Sequence, residues 1–398
     1  MKTLKPFFMT LIVGLLALQL SACAWLKRAI DGTETLEDQK VTSLELKPVG
    51  HADDLCAGGA PMQLQVCAQL EDKPALCTWA YGPDGQAAKK GHLAFDEFQF
   101  TSSVGQVGPE GMLKVPNLGL ALLGRLVDVS VGSAHQPGLS AKTSLPMHFG
   151  CPQLVNGNGQ HGSSGSSGSP GRSGSHGQGE QSSGSYAKPG GHGQNGERGG
   201  PGGHGEDGTP GHRLTVDLAK IQSPQGAELV LVRVTDHTDG DRQYSLLLDP
   251  SRGARLKVLA NGGAGGQGGN GGNGGSVGSG GTGSPPGNGG DGGDGGDAGS
   301  GGKGADGGAV TLRHDPRHPD LAQLVEVENA GGAAGPAGYG GSAGSGGYCN
   351  SGAQQGRSGQ RGRDGQRSGQ SGQAGPPASV QTMDAASLFG DLGDLKLL

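Results

Sequence analysis

Gly262-Gly263-Ala264-Gly265-Gly266-Gln267 opens the stretch on which the architecture turns. From Gly263 to Gly302 every third residue is glycine except Ser284, and 86 of the 398 residues are glycine. Glycine loses the most backbone entropy on ordering and buries no side chain, so this stretch resists ordinary helix or strand. A three-residue period fits the extended, left-handed, three-per-turn polyproline II conformation, where one residue in three meets a crowded axis or neighbour.

The doublets add to that reading. In Gly-x-y one of the three side-chain rows is bare; in Gly-Gly-x two are. A helix with two bare rows can approach neighbours on two sides, and its amides and carbonyls can bond between helices. The third row then carries Asn270, Asn273, Asp291, Asp294 and Asp297 outward to solvent. This predicts a slab of antiparallel glycine helices with a corner at Ser284-Pro285-Pro286. Helices of about nine to fifteen residues would span about 30–45 Å. The expected class is mainly β with glycine-rich polyproline II-type helices: a small disulfide-bonded β-sandwich plus a glycine-helix module.

The N-terminus reads as an address. Lys2 and Lys5 precede an apolar run from Phe7 to Leu20, of signal-peptide length. It ends in Leu20-Ser21-Ala22-Cys23, which resembles the lipobox of bacterial lipoproteins. The resemblance implies removal of residues 1–22, acylation of Cys23, and anchoring through several acyl chains. Ala24, where an aspartate favours inner-membrane retention, points to the outer membrane. Residues 23–40 would be a tether.

Export implies an oxidising compartment. Cys56, Cys67, Cys77 and Cys151 are disulfide candidates with three possible pairings. Cys349 is left over, unpaired or bridging two chains. Residues 41–151 form the conventional domain, a small β-sandwich. Leu44-Glu45-Leu46, Leu64-Gln65-Val66, Phe98-Gln99-Phe100 and Leu126 to Val131 alternate as half-buried strands do. A short helix over Ala121 to Val127 is the alternative for part of the last.

Residues 152–212 have glycine in register from Gly159 to Gly177 and again from Gly190 to Gly211, and read as a collagen-like triple helix or a flexible linker. Residues 213–378 combine strands at Leu214 to Leu218, Leu229 to Val234, Leu246 to Leu248, Ala309 to Leu312 and Leu324 to Val327 with the two densest glycine blocks. Residues 379–398 are a tail, with Leu388, Phe389, Leu392 and Leu395 at helical spacing: a docking helix or disorder.

Gly289-Gly290-Asp291-Gly292-Gly293-Asp294-Gly295-Gly296-Asp297, the strand-like Ala309-Val310-Thr311-Leu312, Asp315-Pro316 and the block from Ala330 follow one another in order. Residues 213–375 thereby resemble the glycine-rich domain of Obg-type GTPases. The resemblance implies glycine helices joined to a small β-part. It carries no nucleotide function, because no phosphate-binding loop occurs: Gly302-Lys303 is followed by Gly304.

Other signatures arise from composition. Gly274-Gly275-Ser276-Val277-Gly278 and Gly340-Gly341-Ser342-Ala343-Gly344 match a nucleophile elbow without its strand-to-helix context. The Gly-Gly-Asp triplets start like calcium-binding nonapeptides, but Gly296 and Gly308 stand where an aliphatic residue fills that fold's core. His314 and His318 could share a metal only on a helix, which Pro316 and Pro319 oppose. Arg357, Arg361, Arg363 and Arg367 form a basic tract, solvated or touching lipid headgroups, polysaccharide or the aspartate row. A net charge of −6 with 17% charged residues does not suit nucleic acid. The expectation is a non-catalytic, lipid-anchored envelope protein, without cofactor or metal, acting as spacer or surface interaction protein. The alternative is a binding module recognising an envelope sugar or protein through residues 41–151.

Overall fold

A computed structural model describes residues 32–37, 39–82, 85–179, 188–366, 368–392 and 396–398. The leader, Cys23, Arg367 and Leu395 lie outside the described residues. The protein is mainly β, with two disulfides.

The N-terminal part holds β1 (Val41–Pro48), β2 (Met62–Leu70), β3 (Leu76–Cys77), β4 (Phe98–Ser102), β5 (Gln106–Val107), β6 (Met112–Lys114), β7 (Val127–Ser133) and β8 (Ser140–Leu145). One sheet runs β1-β2-β6-β5, with β3 on β2; the other is β4-β7-β8. Strict alternation decides which faces turn inward. Val127, Val129 and Val131 of β7 are buried and meet Leu44, Leu46, Leu64 and Val66 from the first sheet in one core. Leu126 stays out at 54% exposure, and the turn before it is a short 3-10 segment, Gly119–Leu122, rather than a helix reaching Val127. Cys67 and Cys77 face each other across β2 and β3 and are bonded; Cys56 pairs with Cys151.

The expected tether to residue 40 is shorter on the domain side. Leu36 is fully buried, its N–H donates to Glu97 Oε2 at 3.1 Å, and the Gln136 amide donates to the carbonyls of Leu36 and Gln39. A single leucine among polar neighbours has no periodicity to announce that docking.

The second part holds β9 (Gln153–Asn156), β10 (Leu214–Gln222), β11 (Glu228–Asp236), β12 (Arg242–Leu248), β13 (Leu256–Leu259), β14 (Val310–His314), β15 (Val325–Glu328), β16 (Ser379–Thr382) and the short α1 (Ala385–Phe389). They form a five-stranded sheet, β12-β11-β10-β14-β16, and a three-stranded sheet, β15-β13-β9. The centre of the five-stranded sheet is buried on both faces. Ala219, Ile221, Leu229, Leu231 and Leu247 join the core of the N-terminal part. Val216, Leu218, Val230, Val232 and Leu246 pack on the three-stranded sheet. Asn117 strengthens the first junction: its amide donates to the Leu247 carbonyl at 2.8 Å and accepts the Leu247 N–H at 3.1 Å, as a strand partner would. The two parts therefore share one apolar layer instead of being joined by a linker through 152–212.

All six glycine-rich segments are rooted on these sheets. Segments 1, 3 and 5 (157–179, 260–283 and 329–348) leave the parallel strands β9, β13 and β15. Segments 2, 4 and 6 (188–212, 287–309 and 354–378) lead into the parallel strands β10, β14 and β16. The register of the sheet continues into the glycine array: Asn156 lies opposite Leu259, and the same separation of 103 residues relates His161 to Ala264 and His176 to Ser279.

Candidate functional site: the glycine array and its two faces

The array consists of two layers, segments 1-3-5 and segments 2-4-6. Neighbours within a layer run parallel, and contacts between layers are antiparallel. Each glycine of a doublet has its own duty. Gly274 N–H donates to Ser342 O in the parallel neighbour, and Gly275 N–H to Glu197 O in the antiparallel one, both at 2.8 Å. Side chains are excluded by the same geometry. A β-carbon on Gly274 would lie 2.0 Å from Gly293 O, and one on Gly275 the same distance from Arg172 O.

The number of bare rows follows the number of neighbours. Segments 3 and 4 each bond to four other segments, and they carry the Gly-Gly-x runs. Segments 1 and 6 lie at the edges, bond to two, and keep one bare row, Gly159 to Gly177 and Gly356 to Gly375. Residues 152–212, read as linker or triple helix, thus supply an edge segment and its partner: Gly162 N–H donates to Ala264 O and Gly200 N–H to Ser169 O. The corner at Ser284-Pro285-Pro286 does join segments 3 and 4, but the segments run longer than nine to fifteen residues because no second corner interrupts them.

The third row is more than a solvated fringe. Its N–H groups point along the layer, and side chains of the next segment cap them. Asp291, Asp294 and Asp297 accept through Oδ1 from the N–H of Arg357, Gln360 and Arg363. Asn270 and Asn273 cap Tyr339 and Ser342 in the same way, and the Nδ1 atoms of His161, His176, His192 and His204 cap Ala264, Ser279, Asn288 and Ser300. Asn, Asp and His share one property: an acceptor one bond beyond Cγ. That common atom explains why these three residue types recur at these positions. The capped N–H groups are part of the general requirement that backbone donors find partners.

The two layers present different chemistry. On the outer row of segments 1-3-5 stand Ser164, Ser167, Ser173, Gln267, Asn270, Asn273, Ser276, Ala333 and Pro336, with Tyr339 and Tyr348 exposed by 67% and 77%. Among the described residues, no Asp, Glu, Lys or Arg occupies that row. On segments 2-4-6 a central file of Asp291, Asp294, Asp297, Lys303 and Asp306 is flanked by Arg198 on one side and Arg357 and Arg363 on the other. Arg198 reaches Asp297 at 3.1 Å, and the Arg363 N–H together with Arg198 lowers the Asp297 pKa. Arg361 pairs with Asp364 at 2.8 Å instead.

The remaining singled-out residues separate. Ser276 and Ser342 lie in extended segments, and Ser276 Oγ meets Ser173 Oγ at 3.0 Å. His314 is buried with Nδ1 on Asp315 O at 2.9 Å, while His318 Nε2 faces Leu398 O at 3.0 Å. Cys349 is unpaired at the turn between segments 5 and 6, with Sγ 3.2 Å from Ala353 O. Among the described residues, no group of three His, Cys, Asp or Glu side chains is arranged to hold a metal ion.

Asp315 was visible only as a turn residue, yet it organises the C-terminus. It is 1% exposed and accepts the Arg317 guanidinium at 2.9 Å on each oxygen, the Arg317 N–H and the Ala385 N–H that begins α1. The Arg317 guanidinium holds its carboxyl far below the usual carboxylate range, against the opposing effect of burial. The folded value lies below the unfolded one near 3.9. The stabilisation is therefore complete above that pH and is lost as pH falls towards the folded value. Asp315→Asn is expected to cost roughly 2–3 kcal/mol at neutral pH. It should also flatten the decline of melting temperature below about pH 4, which thermal melts across pH would record.

Comparison with protein-family models, with curated proteins and with solved structures finds no match to this chain. The functional reading accordingly stands on the residues and their arrangement.

Proposed function

We propose that this chain is a non-catalytic, lipid-anchored protein of the outer membrane, in which Cys23 carries the acyl chains and the glycine array serves as a stiff spacer and interaction platform. The observation that carries the platform reading is the rooting of six backbone-bonded segments on two sheets, with the sheet register continuing into the array along segments 1, 3 and 5 and between segments 2 and 4. Such an array resists bending because every segment shares donors and acceptors with at least two others. In this reading the segments are polyproline II helices, the N-terminal part is a β-sandwich, and residues 213–375 are akin to the glycine-rich domain that the resemblance to Obg-type GTPases implies. At about 3.1 Å per residue, Gly159 to Gly177 would extend roughly 55 Å. The two outer faces support an interaction role, since one offers amides, hydroxyls and tyrosine rings and the other a file of charged side chains.

Anchoring is tested by growing a Gram-negative host with an alkyne analogue of palmitate. The wild-type chain is expected to take up label and to sediment with outer membranes, and Cys23→Ser to do neither. A Cys23→Ser chain that remained labelled and membrane-bound would remove the anchor from this reading.

A further inference from the structure

Where the N-terminal part meets the five-stranded sheet there is an open cavity of about 330 Å³. Its walls come from four places in the chain: the turn after Gly119–Leu122, the segment leading into Cys151, the turn from Ser223 to the start of β11, and the Asp249–Arg252 turn. The walls are tied together. Asp249 N–H donates to Phe149 O at 2.9 Å, and the Arg252 stem lies against Gly150, where a β-carbon would come within 2.5 Å of it.

The lining is mostly apolar: Leu123, Leu126, Met147, Phe149 and Leu229. Leu126 stands at the rim, more than half exposed despite its size. Two cations border this apolar floor. Arg125 is exposed, and its guanidinium has no partner among the described residues. Arg252 approaches Asp249 Oδ2 only at 3.6 Å, while Asp249 Oδ1 is occupied by the N–H and hydroxyl of Ser251. Of the two guanidiniums, Arg252 has the Asp249 carboxylate within ion-pair range and Arg125 has none among the described residues, while Asp53 and Asp54 lie near enough to act on His148. His148 accepts the Gly150 N–H through Nδ1 at 3.0 Å, which leaves its hydrogen on Nε2 as a further donor. Burial, with Arg252 beside it, pushes the His148 pKa down against the opposing pull of Asp249, Asp54 and Asp53.

Ligand sites are typically concave, mostly apolar, placed between structural units, and supplied with a few oriented polar groups. This cavity has each of those properties. Its volume, at about 30 Å³ per water-sized unit, accommodates on the order of ten non-hydrogen atoms. We propose that the cavity binds a medium-chain amphiphilic carboxylate, its tail on Leu126, Met147 and Phe149 and its head on Arg125. The guanidinium of Arg125, which has no carboxylate of its own among the described residues, selects an anionic head, and the apolar floor selects a hydrocarbon body over a sugar or an inorganic ion. The site is independent of the anchor at Cys23.

The test is calorimetric titration of the full chain with sodium octanoate. One saturable site is expected, with octanamide, of the same shape but uncharged, binding roughly tenfold more weakly because a charge-assisted contact is lost. Arg125→Gln, at an exposed position, should weaken octanoate by roughly tenfold with an unchanged melting temperature. Leu126→Glu, on the rim, should abolish binding. Absence of saturable octanoate binding, or full-strength binding by both variants, would overturn the proposal.

Discussion

Gly272→Val is expected to dismantle the glycine array. Gly272 lies in the middle of segment 3; its N–H donates to Gly200 O and its carbonyl accepts from Gly296 N–H, both at 2.8 Å. A β-carbon there would sit 2.0 Å from Ser169 O and 2.6 Å from the carbon of that carbonyl. The obstruction is backbone belonging to an edge segment, so no side-chain rotation relieves it. Three segments must separate, or their shared hydrogen bonds must break. A cost of about 3 kcal/mol or more follows, at the upper end for overpacking. Isolated β-carbons do occur in the glycine rows, at Val277, Ala298 and Ala305. Two of these lie towards segment ends, and Ala298 faces the stretch where segment 6 slips by one residue between Gly365 and Gly369. Gly390, with nothing within 4 Å of its β-position, is the matched control, and Gly390→Ala should shift stability by no more than about 0.5 kcal/mol. Amide hydrogen exchange reads the outcome directly. The amides of 262–308 should be protected in the wild type and in Gly390→Ala, and should exchange quickly in Gly272→Val. Unchanged protection in the valine variant would mean that bare rows are not what holds the array together.

Phe389→Ala is expected to destabilise the molecule by about 3–5 kcal/mol, the usual cost of removing a buried phenylalanine ring. Phe389 is 2% exposed, and with Ala385 and Leu388 it belongs to the core that the N-terminal sheets share with β10 and β11. Arg233 lies over its ring at 4.9 Å, donates to the Leu388 carbonyl and pairs with Asp391 at 2.6 Å. The variant loses ring burial and leaves the guanidinium without its aromatic face. Denaturant unfolding followed at two probes distinguishes a shared core from separate modules. Trp79, buried in the N-terminal part, reports by fluorescence, and the sheets report by circular dichroism. Both midpoints should fall together. A shift in one signal alone would show that the two parts unfold independently.

Much of this architecture is legible in the residues, for identifiable reasons. Alternation at Leu44 to Leu46 and Leu126 to Val131 marks strands because one face of each is buried, and the structure has strands there. The apolar run from Leu229 to Val234 marks a strand covered on both sides, which β11 is. The tail was ambiguous because α1 is only five residues long, too short to declare itself by periodicity. Its order comes from Asp315, Arg233 and a strand-like contact of Leu397 with Ile221, all remote in the chain. Pairing among the four N-terminal cysteines was equally open, since spacing does not reveal which strands become neighbours. The role of the third-row Asn, Asp and His residues was hidden for the same reason: a side chain that caps the amide of another segment looks like a solvated one until the register is known.

By itself, the amino-acid order determined the three-residue glycine period, the places where doublets leave two rows bare, and the alternation that makes strands, because these depend on sterics within a few residues. Only the tertiary structure decided that segments 1 and 2 belong to the array, that parallel strands set its register, and that the two parts share one apolar layer. Those outcomes depend on which distant segments come together, and the chain carries that information in packing complementarity rather than in any local pattern.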